Sequence, residues 1–205
     1  DEIGRHLPAG VLPASVQGAP QAWTVLSAGD APAPAWFSAQ GIVEPAPGLY
    51  TLAPQLQVDG SWYGAQELQA SPQAVAGGAR TVLDHGQARL DVLATPGTDE
   101  AGRAWLRLRY RLHNPDRNPH RYALALAARP FQIHPAGRYG DLPGGAGWLE
   151  TVEVQAGNLL ANGQLALVAG QAPEAAFASH FDAGLDLALL RGARWPESRQ
   201  ARDAQ

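Results

Sequence analysis

The chain has 205 residues, a net charge of −4 and 45% apolar residues, enough for one domain with a packed core and too apolar for wholesale disorder. All 15 basic residues are Arg and the 19 acidic residues outnumber them, so the charge balance predicts no nucleic-acid surface. The absence of Cys excludes disulfides, thiolate metal sites and a Cys nucleophile, and no run approaches the roughly 20 apolar residues of a membrane helix.

In chain order, residues 1–20 are rich in Pro, Gly and Ala without a clear period, and read as a linker or extended arm before a domain over 21–205. Trp23 to Leu26 is a short β-prone run, and Asp30 to Trp36, with alternating Ala and Pro, reads as a loop. Gly48 to Leu56 reads as a strand and Gly60 to Gly64 as a turn carrying Trp62 and Tyr63. Arg80 to Asp84 and Gln87 to Ala94 flank a His-Gly pair and form a predicted hairpin.

The strongest pattern is Ala104 to His113. Leu106, Leu108, Tyr110 and Leu112 fall on one face of a strand, and Trp105, Arg107, Arg109, Arg111 and His113 on the other. Asn114 to Pro119 is a loop, and Arg121 to Ala128 returns with Tyr122, Leu124 and Leu126 in alternation, so the two strands are expected to pair antiparallel. Gly137 to Gly147 is Gly-rich and irregular; Trp148 to Val154 reads as a strand. Asn162-Gly163 between apolar runs is the best short hairpin signal, and Phe177 to Phe181 is a further strand candidate. Asp182 to Leu190 is the one short helix, capped by Asp182 and ended by Gly192. With 23 Gly and 17 Pro punctuating short segments, the expected fold is all-β, an antiparallel β-sandwich.

Five stretches carry a family likeness: Gln21-Ala-Trp-Thr-Val25, Phe37-Ser-Ala-Gln-Gly-Ile-Val-Glu-Pro45, Val58-Asp-Gly60 with Trp62, Arg109-Tyr-Arg-Leu-His-Asn-Pro115 and Ala128-Arg-Pro-Phe-Gln-Ile-His-Pro135. Together they resemble bacterial discoidin (factor 5/8 type C) domain-containing proteins, which carry a β-supersandwich followed by a six-hairpin, glycosidase-like helical barrel. The chain departs from that pattern at His134, where the family tends to have Asn, and in the 137–147 loop. The resemblance implies a supersandwich of galactose-mutarotase-like type, truncated here and continuing past Gln205. It also implies an exported protein, periplasmic or extracellular, and a partner barrel holding any catalytic carboxylates.

The function expected from this is an accessory sandwich of a larger polysaccharide-active, glycoside hydrolase-like protein. The alternatives are a free-standing carbohydrate-binding module and an autonomous glycosidase or lyase. The candidate ligand residues are Arg107, Arg109 and Arg111, whose guanidinium forks suit carboxylates, and Trp62, Tyr63 and Trp148, whose flat rings suit sugar stacking. Arg121 and Arg129 are expected to extend the Arg row across the paired strand, and Trp36 with Phe37 is a further aromatic pair. Against each stands an ordinary structural role, a solvated sheet face for the Arg row and core packing for the aromatics; Trp23 and Trp105 read as structural. No catalytic residue is assigned: Asp141 and Glu150 are the least unattractive acid pair, Asp186 reads as helix surface beside the cap, and no Gly-Xaa-Ser-Xaa-Gly elbow occurs. Gly144 to Gly147 lacks the Lys-Ser/Thr end of a phosphate loop. His113, His120 and His134 stand at ordinary turn and strand positions without the helical spacing of a metal pair, so no metal is expected; no cofactor is expected either, and the acidic charge balance predicts no nucleic-acid partner.

Overall fold

The computed structural model describes residues 23–27, 35–45, 51–129, 152–155, 158–161, 163–174, 177–178, 190–191 and 202–203. They form antiparallel sheets, as the alternating sequence requires. The larger sheet contains β1 (Trp23–Leu26), β2 (Ala35–Ser38), β3 (Val43–Glu44), β4 (Thr51–Val58) and β5 (Ser61–Gly64). The second contains β6 (Gln69–Val75), β7 (Gly78–Asp84), β8 (Arg89–Thr98) and β9 (Ala104–His113), in that spatial order. β10 (Tyr122–Arg129) returns to the larger sheet, whose order is β1-β2-β3-β4-β10 with β5 also on β4. β11 (Val152–Gln155), β12 (Asn158–Ala161) and β13 (Gln164–Leu167) make a three-stranded sheet, and β14 (Phe177–Ala178) pairs with β15 (Arg202–Asp203).

The two main sheets pack face to face. Phe37, Val43, Leu52, Leu56 and Val58 of the larger sheet meet Ala79, Leu83, Leu90, Val92 and Ala94 of the second in one buried cluster. Thr81, also fully buried, donates from Oγ1 to the Ala39 carbonyl at 2.7 Å, so its hydroxyl is satisfied across the interface. Gly78 lies so close to β8 that a Cβ there would stand 2.4 Å from the Ala94 carbonyl oxygen, which is backbone and cannot swing aside. Gly78→Ala is therefore expected to cost about 1–3 kcal/mol, read from the midpoint of urea unfolding; an unchanged midpoint would contradict this close approach.

Three prolines lie inside strands, each where the ladder has a gap. Pro54 of β4 sits between the β3 pairing at Leu52 and the β5 pairing that starts at Gln55. Pro72 is on β6, the edge of its sheet, and Pro96 lies beyond Ala94, where β7 has ended and only β9 pairs with β8. A missing N–H leaves no ladder bond unmade at such places.

Several expectations hold. β7 and β8 form the hairpin around His85-Gly86, and β12 and β13 form that around Asn162-Gly163, with Gly163 at φ +73°. Others need correcting. Ala35 and Trp36 belong to β2 and not to the Pro-rich loop. Gly60 to Gly64 is mostly strand, because a two-residue Asp59-Gly60 turn, both residues at positive φ, already reverses the chain. The larger correction concerns β9 and β10. They do not pair: β9 lies on β8 and β10 on β4, and the loop between them crosses from one sheet to the other. Of the expected helix only Leu190 is described, and it is helical. The expected arm over 1–20 and the Gly-rich 137–147 loop lie outside the described residues.

Candidate functional site

The two sheets differ in what covers their outer faces. On the larger sheet β4 is buried on both sides, with Thr51 and Gln55 enclosed on the reverse of Leu52 and Leu56. The outer face of the second sheet is open. Its register places Arg80, Val82 and Asp84 of β7 beside Arg89, Asp91, Leu93 and Thr95 of β8, and these beside Arg107, Arg109, Arg111 and His113 of β9. β9 pairs with β8 over ten residues without a register shift, so its odd-numbered side chains form one continuous row.

Five guanidinium groups share this face, and they divide by strand. Arg80 clasps Asp91 through two bonds, Nε to Oδ1 at 2.8 Å and Nη2 to Oδ2 at 2.6 Å. Arg89 donates from Nε to Asp84 Oδ2 at 2.7 Å. The Arg80 hydrogen bond, with smaller help from His113 and Arg109, holds the Asp91 carboxyl below the usual range. Asp84 is lowered first by the Gly86 N–H and then by Arg89. The inner-strand cations are thus neutralised. Arg107, Arg109 and Arg111 on the edge strand are exposed, and among the described residues no carboxylate forms an ion pair with any of them. At about 3.4 Å per residue they recur every 7 Å or so along the strand.

Trp105 begins the same row. It is 40% exposed, and the Arg107 guanidinium lies 5.2 Å from its ring centroid, within cation–π range. The indole is seated on Gly97, its cross-strand partner, where a Cβ would come within 2.1 Å of the ring. A glycine opposite a Trp gives the ring a flat backbone to lie on, which is why a residue that reads as structural stays at the surface. Gly97→Ala is expected to swing the indole off β8, shifting its Nε1–H resonance while Tm moves little; an unmoved resonance would show that the ring does not rest there.

The aromatic candidates fall elsewhere. Trp62 and Tyr63 lie on β5 in the larger sheet. Tyr63 packs on His85, ring centroids 4.1 Å apart, and is half-buried against the core. The Trp62 carbonyl accepts both Nε and Nη2 of Arg191, which also pairs with Glu67 at 2.7 Å. These contacts tie a distant segment to β5 and the 3-10 turn Ala65–Glu67. The structure does not bring Trp62 and Tyr63 to the Arg row, and Trp148 lies outside the described residues. Because β10 is in the other sheet, Arg121 and Arg129 do not extend the row as expected. Trp36 and Phe37 are β2 residues, and Phe37 is core.

Family models, curated proteins and solved structures all return no match. The face must therefore be judged on its own chemistry. Asp141, Glu150 and His134 lie outside the described residues. Among the described residues no group of three or more His, Asp or Glu is arranged to hold a metal ion. No described helix is long and apolar enough to cross a membrane. The exposed row offers three guanidinium forks and one aromatic ring on a flat surface, which suits an extended ligand bearing repeated carboxylates and apolar ring faces.

Proposed function

We propose that this chain is an accessory β-sandwich of a larger, exported polysaccharide-active protein, and that its Arg-bearing face holds carboxylated glycan. The observation that carries the glycan contact is the division of charge on that face: Arg80 and Arg89 are matched by Asp91 and Asp84, while Arg107, Arg109 and Arg111 are left facing water. An Arg row serving only to solvate the sheet would gain from the same cross-strand pairing as its neighbours. The placement beside a glycosidase-like barrel, and export, are supported by the family resemblance of Arg109 to Pro115 and Ala128 to Pro135.

The exposed Trp105 favours a second reading, a free-standing carbohydrate-binding module that uses the same face. The two part on the mass of the native protein, which is well above that of these 205 residues in the first reading and equal to it in the second. The glycan contact is tested by electrophoresis in gels containing polygalacturonate or a neutral β-glucan. Retardation in the acidic gel alone is expected; equal mobility in both would refute it.

A further inference from the structure

The loop that carries the chain from β9 in one sheet to β10 in the other, residues 114–121, meets the Asp59-Gly60 turn at His120. The His120 side chain is only 7% exposed, and both of its ring nitrogens face carboxylates: Nδ1 lies 2.7 Å from Asp59 Oδ2 and Nε2 lies 2.9 Å from Asp116 Oδ2. An ionised carboxylate only accepts, and a neutral imidazole has one N–H to give. Only the imidazolium satisfies both contacts.

Each carboxylate is set for this by its other oxygen. Asp59 Oδ1 accepts the Arg121 N–H at 2.9 Å, and Asp116 Oδ1 accepts the Asn118 N–H at 2.6 Å. Asn114 braces the loop, accepting from Asp116 N–H at 3.1 Å and donating to the Asn118 carbonyl at 2.7 Å. Asp59 sits in the tight turn between β4 and β5 at φ +49°, a conformation that Asp tolerates better than most residues. The ring of Tyr122 on β10 stands 6.1 Å from that of His120, its hydroxyl donating to the Gln87 carbonyl at 2.6 Å.

We propose that His120 is a proton-operated latch, which as an imidazolium pins the inter-sheet loop to the Asp59-Gly60 turn and on losing its proton lets that loop open. A neutral ring would turn a nitrogen lone pair towards a carboxylate oxygen less than 3 Å away, so one of the two contacts becomes repulsive. The backbone pair between Asp59 and Arg121, N–H to carbonyl at 2.9 Å, is independent of the proton, which limits the opening to the loop.

The direction follows from the groups around the ring. Asp59 first and Asp116 next raise the His120 pKa above 6.5, against the effect of burial. Its stabilising share is complete below about pH 6.5 and is lost as pH rises through the raised value. Asp116 is lowered chiefly by His120, and Asp59 chiefly by the Arg121 N–H and then by His120. Their share is complete above the ordinary 3.8 and is lost as pH falls through the lowered values. The latch is thus closed in mild acid and opens as pH rises through the raised His120 value.

The test is a titration of the whole chain followed by ring ¹⁵N shifts of His120, with amide protection of residues 114–121 measured in parallel. Two imidazolium-type nitrogens at pH 6, a midpoint above 6.5 and a matching loss of protection in the loop are expected. A ring with one N–H at pH 6, or a titration that leaves loop protection unchanged, overturns the proposal. His120→Gln should remove this pH-dependent step in protection; should it not fold, the wild-type titration still decides. The latch stands apart from the glycan-binding reading, since neither measurement needs a ligand.

Discussion

Replacing Arg107, Arg109 and Arg111 together by Ala is expected to weaken binding of oligogalacturonate about 30-fold to 100-fold without lowering Tm. The size follows from exposure. An ion pair at a solvated surface contributes up to about a factor of five, and three acting on successive carboxylates multiply towards the upper figure. The stability expectation follows from the same geometry. These side chains point away from the core, and none forms an ion pair with a described carboxylate, so their removal leaves no buried charge unmatched. Isothermal titration at two salt concentrations checks both the loss and its cause. The wild-type affinity should fall as salt rises, and that of the triple variant should respond far less. Arg80→Ala is a control, because it lifts the clasp from Asp91 and gives the face a free carboxylate. A triple variant that binds like the wild type would remove the Arg row from the function.

Leu90→Ala is expected to destabilise the domain by about 2–5 kcal/mol. Leu90 lies on β8 with no exposed surface, in the middle of the cluster joining the two sheets. Its neighbours along the strand, Val92 and Ala94, are equally enclosed, and Leu83 lies opposite on β7. Backbone pairing on both sides of β8 limits how far the walls can collapse into the space left behind. Urea unfolding should show a lower midpoint with an unchanged slope. Leu126→Ala offers a contrast: Leu126, at the edge on β10, is partly exposed, and its loss should cost much less. Equal costs at the two positions would contradict the placement of the core between these sheets.

Much of this was legible in the residues. Strict alternation over Ala104 to His113 gives β9 both its faces, and the His-Gly and Asn-Gly pairs mark their hairpins. Asp59-Gly60 carried an equally good hairpin signal, which the aromatic pair Trp62-Tyr63 beside it obscured. The inter-sheet crossing after β9 was hidden for a different reason. An eight-residue loop between two alternating strands is compatible with a hairpin, and only the competition for β4 and β8 as partners sends them apart. Two residues changed meaning through long-range contacts that no local pattern encodes. His120 read as an ordinary loop histidine, because Asp59 lies 61 positions away. Trp105 read as structural, because its exposure depends on a glycine across the strand pair.

The proposed glycan contact is tested most directly by ¹H–¹⁵N spectra of the Arg Nε–Hε groups during titration with oligogalacturonate. The account predicts progressive shifts at Arg107, Arg109 and Arg111, with the paired Arg80 and Arg89 nearly still. Shifts confined to Arg191 beside Trp62, or no shifts at any arginine, would contradict it.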